Sequence, residues 1–456
     1  MKKQHKKTSV PYHVKKYIFF SLTIIISIPL CSRLQAQEEY PALNLHQLID
    51  SALFKHYLLQ ANKKNLAIKE AEIEILKTNY QPRISTSATF SYWKFLMPNK
   101  QRVLGNTLSD VYTDISFQQT IYDWGENRAR KAVAENEILL NDEIYRQIKN
   151  TIIWGVADAY FETLKADSEV EAHRNSLDQL NSQLRYADNL YSIGKVSGVD
   201  VLKIKVQISV EEKNLQKAVN ASLAQNINLR RLCYIENREE IKLVNSSTRL
   251  YNQWKNHLFI ADSLYMDVMS NHPALLASDR KIDIEEMQKE VNRLQSKPEI
   301  FSYGVASWED GYIPFGDNFN YNIGFGISYT IPLWGGSSYK SKILQNELRM
   351  KQMNDEKKQE LLNIKRDIDV SLNEIKDIKN EIANNEKIIK LARETLDNAL
   401  VKYRAGQGPI IDVLDAQAIL TETNIAYNKS VIAYLQAIAR LHYFKGKDTH
   451  PFLTGE

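Results

Sequence analysis

Asp412 and Asp415 stand three residues apart at the start of an apolar-periodic stretch. That spacing puts both carboxylates on one helix face, near an N-terminus whose dipole favours negative charge. Little else in the chain could react. It has no Gly-x-x-x-x-Gly-Lys-Ser/Thr loop to cradle a phosphate. Its histidines are scattered, with no His-Glu-x-x-His pair and no cysteine cluster to hold a metal. Cys233 lacks the local His and Asp setting of a nucleophile. These residues predict no enzyme, no cofactor and no metal, so the elements that position the two aspartates become the informative part.

Those elements are long. The chain has only 16 Gly and 11 Pro in 456 residues, about half the roughly 12% of average usage. It is also written twice. Gly194 to Leu202 lines up with Gly406 to Leu414, and Leu177, Leu180, Leu184, Ala187 and Tyr191 line up with Ile389, Ala392, Leu396, Ala399 and Tyr403, a coiled-coil spacing in both halves. Upstream, Thr120 to Gly125 matches Thr330 to Gly335, and His56 and Pro82 match His272 and Pro298. Each half predicts a helix (57–80 or 273–296), two strands, a very long helix (126–192 or 337–404), a turn and a return helix (199–232 or 411–443). Gly194, Gly198, Gly406, Gly408 and Pro409 mark the two turns, and Trp124-Gly125 and Trp334-Gly335 mark the exits from strand to long helix.

The strands read differently from the helices. Residues 321–331 alternate large apolar with small or polar side chains, and 84–92, 115–122 and 301–308 do so more loosely. That is the pattern of a barrel wall between lipid and water. Trp93, Trp124, Trp308 and Trp334 lie at strand ends, the place of an aromatic girdle. The segments 95–111 and 309–320 read as polar outer loops. Four strands cannot close a membrane barrel, because open edges leave backbone groups unpaired in lipid. A homotrimer would supply twelve. The expected fold is therefore mostly α with β: a membrane β-barrel completed by several copies of the chain, with helices that reach about 100 Å, far more than a membrane needs and comparable with a periplasmic crossing. Asp412 and Asp415 have two readings in that frame. They compensate a helix N-terminus, or they form a lumen-facing ring at a narrow point.

The N-terminus fits export. Lysines at 2, 3, 6, 7, 15 and 16 precede the apolar run from Tyr17 to Leu30, and Leu34-Gln35-Ala36 suits cleavage after Ala36. Lipidation of Cys31 is the rival start, with Leu30 where that site takes a small residue. Residues 1–36 hold seven Lys or Arg and no acid, so the formal +4 becomes −3 after cleavage. The basic character belongs to the leader and gives no reason to invoke nucleic acid. The division is signal peptide 1–36, first repeat 37–234, linker 235–258, second repeat 259–446 and tail 447–456.

With Tyr403, Gly406 and the run Asp412-Val-Leu-Asp-Ala416 added to the duplicated elements and the paired Trp-Gly junctions, the sequence resembles the TolC-like outer membrane efflux proteins from Leu43 to Gly446. The resemblance implies a trimeric channel-tunnel, a twelve-stranded outer-membrane β-barrel continued by a long periplasmic α-helical barrel, which is a passive exit duct docked to a periplasmic adaptor and an inner-membrane pump, or to a type I secretion complex. It matches Asp412 and Asp415 to the family's constriction aspartates, and Asp200 and Tyr403 to positions whose bonds hold the tip closed. The family's Arg is replaced by Gly408, leaving Arg404 or Lys195 as the cation for Asp200. A trimeric coiled-coil stalk or adhesin on a small barrel anchor is the alternative; it requires a barrel segment at one chain end. The cargo, and the choice between efflux pump and secretion system, are not written in these residues.

Overall fold

The computed structural model describes residues 42–104, 107–236, 241–310, 320–331, 336–447 and 452. The leader 1–36 with Cys31, and the junction residues Trp334 and Gly335, lie outside the described residues. Ten helices and four strands are seen among those described: α1 (Leu45–Lys55), α2 (Tyr57–Lys77), β1 (Arg83–Lys94), α3 (Pro98–Leu104), β2 (Thr107–Tyr122), α4 (Glu126–Ser192), α5 (Gly198–Leu232), α6 (Ser247–Trp254), α7 (Ala261–Asn271), α8 (Pro273–Leu294), β3 (Glu299–Asp310), β4 (Asn320–Thr330), α9 (Gly336–Arg404) and α10 (Ile410–Phe444). No described helix is long and apolar enough to cross a membrane.

The long helices α4 and α9 have 67 and 69 residues, about 100 Å each at ~1.5 Å per residue. Shorter helices pack along them: α2 and α5 on α4, α8 and α10 on α9. Buried asparagines fix the register of several pairs. Asn62 Nδ2 donates to Asn141 Oδ1 at 3.1 Å between α2 and α4, and Asn292 Nδ2 donates to Asn346 Oδ1 at 2.8 Å between α8 and α9. Sliding either pair would bury an amide without a partner, at about 1–3 kcal/mol.

The main core lies midway along α4, where α1, α6, α7 and the ends of α5 and α10 gather around Tyr160, Phe161, Ile368, Tyr434 and Leu435. Asn44 and Gln47 form a capping box that starts α1, and Leu43 pairs with Leu243 to tie the N-terminal segment to the linker. The ends of the short helices abut here. The rings of His56 and Tyr57 meet that of Tyr234 at 5.6 and 5.3 Å. In the other half, Gly446 sits so close that a Cβ would come within 2.5 Å of Pro273 Cδ. Tyr234 (φ 53°) and Gly446 (φ 68°) are both left-handed.

The strands form one antiparallel sheet in the order β1-β2-β3-β4, leaving β1 and β4 as edges. One face carries Ile84 and Phe90 of β1, Ile115 and Phe117 of β2, and Ile323, Phe325 and Ile327 of β4. The other carries Ser85 and Ser87, Ser116 and Gln118, and Asn322 and Ser328. β3 runs against this rule. Its register puts Ser302, Gly304 and Ala306 on the apolar face, while Phe301, Tyr303 and Val305 join the polar one. Gly304 and Gly326 explain the inversion. A Cβ on Gly304 would lie 2.9 Å from the Phe325 ring, and one on Gly326 would lie 2.6 Å from the Tyr303 ring. Each aromatic ring therefore covers a glycine on the neighbouring strand.

Two expectations change. The expected outer loop 95–111 contains α3, opened by Pro98 at a first helical position, and β2 begins at Thr107, inside that loop. Trp93 shares the polar face with Ser85 and Ser87, because its strand parity is opposite to that of Tyr92, so it does not join a girdle on the apolar face. Trp308, by contrast, lies on the apolar face as a girdle residue would, opposite Tyr321 at one end, with Tyr329 at the other.

Candidate functional site

The tip where each long helix reverses is built from local rules. α4 and α9 end alike: Gly194 (φ 73°) donates its N–H to Tyr191 O and Lys195 to Leu190 O, while Gly406 (φ 75°) donates to Tyr403 O and Gln407 to Lys402 O. Both are glycine-closed C-caps that satisfy the last carbonyls. Ser197 Oγ then accepts from Val199 N–H at 2.9 Å to start α5, whereas Pro409 starts α10 without a side-chain cap. Gly198, expected in the turn, is the first residue of α5 with an ordinary φ. A Cβ there would stand 3.3 Å from the Tyr191 ring. Gly408 likewise has no positive φ and leaves room for Lys402.

Below the turns the two hairpins share a second core around Leu180, Ile204, Ile208, Leu396, Tyr403 and Val413. Asp412 and Asp415 point away from it and are exposed. The structure extends their stripe: Ile419 and Glu422 are the next exposed positions at the same three-and-four spacing. Asp412, Asp415 and Glu422 make no hydrogen bond or ion pair among the described residues. Higher on α10 the charges are paired, Lys429 with Glu169 and Arg440 with Glu374, both at 2.6 Å. The lower end is thus left with uncompensated negative charge.

The expected gate residues meet only in part. Tyr403 is 4% exposed, and its Oη has no partner among the described residues. Burial raises its phenol pKa, with Asp200 and Tyr186 adding to the effect. Asp200 is therefore close, but no hydrogen bond joins the two. The Arg404 guanidinium lies 5.6 Å over the Tyr186 ring, so it does not take the place of the missing Arg opposite Asp200. Tyr403, Gln183 and Gln417 all line one cleft of about 700 Å³ between α4, α9 and α10, and Tyr403 Oη, Gln183 Oε1 and Gln417 Oε1 are buried without a partner among the described residues.

At the other end of α4, Trp124 (φ 57°) and Gly125 (φ 89°) make the sharp exit from β2. Asp123, absent from the sequence reading, organises this turn. Its oxygens accept from Gly125 and Asn127 N–H at 3.0 and 2.9 Å, and Tyr80 Oη donates to both at 2.8 Å. His56 and His272 were also legible only as a matched pair. Each caps a helix, Nδ1 accepting from Leu58 N–H at 3.2 Å and from Ala274 N–H at 3.3 Å. Their place one residue before each helix start was the available signal.

The family model for outer membrane efflux proteins matches residues 48–233 and 264–446. The chain belongs to that family. Membership makes it an outer-membrane channel of efflux or type I secretion, with its helical part in the periplasm. Among relatives of this outer membrane efflux protein, BepC of Brucella suis, named an outer membrane efflux protein, is 22% identical over 84% of this chain and 81% of its own length. AprF of Pseudomonas aeruginosa, named an alkaline protease secretion protein, is 22% identical over 73% of this chain and 69% of its own. The solved structure of CusC, described as forming a transmembrane channel, shares the fold with a TM-score of 0.72 at 15% identity, covering 88% of this chain and 91% of that one.

Proposed function

We propose that this efflux protein is the passive exit duct of a tripartite pump or a type I secretion system, assembled as a homotrimer. The sheet carries the reading. Its apolar face is largely exposed in the single chain, with Phe325 84% and Ile323 75% exposed, and each edge strand is unpaired on its outer side. Lipid on that face and neighbouring copies at the edges satisfy both at once. Three copies give twelve strands and one closed wall around a polar lumen. The two halves, 37–234 and 259–446, then act as equivalent repeats around the duct, and strands in both halves argue against a stalk with one terminal anchor.

Asp412, Asp415 and Glu422 face the lumen in this reading and select cations where the duct narrows. The Asp200, Tyr403 and Arg404 region and the turns hold the tip closed. Its cleft of unpartnered polar atoms supports docking of a periplasmic adaptor, through which an inner-membrane pump supplies energy. The test joins two measurements on detergent-solubilised protein: mass and single-channel conductance. Three chains per particle and discrete pores are expected. A monomer that conducts nothing would sink the proposal.

A further inference from the structure

A second cleft, of about 430 Å³, lies between α4, α6 and α10 just below the central core, and its lining is unusual for this chain. One residue in four of the sequence is charged, yet among the cleft's lining residues only Glu171 is. Asn175, Gln179, Thr248, Asn424 and Asn428 converge there, and among the described residues none of these five side chains makes a hydrogen bond within the chain. Gln417, 4% exposed, lines both this cleft and the one at the tip, with its Oε1 buried and unpartnered among the described residues. The half-buried rings of Tyr251 and Tyr427 stand on the same wall, Tyr251 fixed edge-on to Tyr434 at 5.5 Å. On α10 the cleft occupies the face opposite Asp412, Asp415 and Glu422. If those line the duct, the cleft opens to the periplasm. This step rests on the duct reading above.

Primary amides that both donate and accept, set beside aromatic faces with Glu171 as the single charge among the described lining residues, match one ligand chemistry well. Vicinal hydroxyls and acetamides pair with amides two bonds at a time, and the C–H faces of a sugar ring lie on tyrosine. An anionic ligand would meet Glu171 and no cation among the described lining residues, a polycation would find that one carboxylate against many amides, and an amphipathic helix would leave the amides buried and unpaired. We propose that this cleft binds a hydroxyl- and acetamide-rich glycan strand, the chemistry of the cell-wall mesh that a periplasmic tunnel must pass. The volume falls within the ~300–1,000 Å³ of small-ligand sites and suits a short run of sugar rings.

Purified full-length protein in detergent is co-sedimented with isolated peptidoglycan sacculi, with chitotetraose or maltotetraose as soluble competitor. The wild type is expected to pellet with sacculi and to be released by chitotetraose, the acetamide-bearing oligomer, more than by maltotetraose. The pair Asn175→Leu and Asn428→Leu should weaken sedimentation about tenfold with unchanged particle mass and melting, and Tyr427→Ala, whose ring also packs on the central core, should do so with unchanged particle mass, the scale of one or two lost hydrogen bonds or a lost ring contact. A wild type that stays in the supernatant, or variants that pellet like it, overturns the site. So do variants that keep sacculus binding while losing capture by a purified periplasmic adaptor, since the cleft is then a protein dock. Conductance of the same preparation separates the two readings. Pores without sacculus binding overturn the glycan site alone, whereas absence of pores removes the duct and with it the outward orientation of the cleft.

Discussion

At the scale of single residues, the informative groups are those left without partners. Asp412, Asp415 and Glu422 share one exposed face of α10 and make no ion pair among the described residues; in the duct proposed above, their field acts on whatever passes. Replacing all three by Asn, Asn and Gln removes three charges per chain, nine in a trimer. The expected outcome is a reversal potential in a KCl gradient that moves towards zero, measured in planar bilayers, with pore formation intact. If only helix-end compensation were at work, selectivity would stay put and the urea midpoint would fall. Gly406 gives a backbone prediction. Its φ of 75° costs about 1 kcal/mol for a residue with a Cβ, although a Cβ there meets nothing within 4 Å. Gly406→Ala should therefore lower stability by about that amount through backbone strain alone. Urea unfolding of the full chain checks it.

At the scale of elements, the joints between short helices carry a pH dependence. His272 is buried beside Arg146, and both effects, burial first, pull its pKa from 6.5 to about 4. Burial also lowers that of His56. As pH falls below 6.5 the unfolded chain takes up the proton and the folded chain resists it. The stabilisation is thus fully present above 6.5 and is lost as pH drops towards 4, by up to ~3 kcal/mol for His272. Protonation also removes the lone pair that accepts from Ala274 N–H. His272→Asn keeps a capping oxygen that does not titrate. Its urea midpoint should change less between pH 6.5 and 4 than that of the wild type, and parallel curves would exclude the mechanism. Helix limits were legible to within a few residues, because so few Gly and Pro interrupt the periodicity: α4 runs from Glu126 to Ser192 as expected. What escaped reading depends on neighbours. The role of Gly198 depends on the Tyr191 ring, and the outward face of β3 is set by its register with Phe325 on β4. Alternation in one strand names two faces without saying which one meets lipid.

At the scale of the whole molecule, the sheet's two faces make a sharper claim than its strand count. Tyr321 and Tyr329 bracket Ile323, Phe325 and Ile327 on one face of β4, eight residues apart and so ~26 Å along the strand. Tilted by about 35–45°, that stretch covers about 20 Å of a bilayer's ~25 Å apolar band. Phe325 lies at the middle of that span, and Asn322 lies on the opposite, polar face. An arginine at the midplane of a lipid-facing strand costs about 2–4 kcal/mol, and a trimer would carry it three times. Phe325→Arg also uncovers Gly304. Asn322→Arg places the same charge in water. Phe325→Arg should therefore abolish recovery of trimer from the outer-membrane fraction, while Asn322→Arg is recovered normally and alters only conductance. Equal recovery of the two would mean that the apolar face does not meet lipid. The barrel would then have to be abandoned in favour of a sheet buried against another protein. Phe325→Leu separates the two costs of the first variant: it keeps an apolar surface but uncovers Gly304, so its recovery measures the aromatic cover alone.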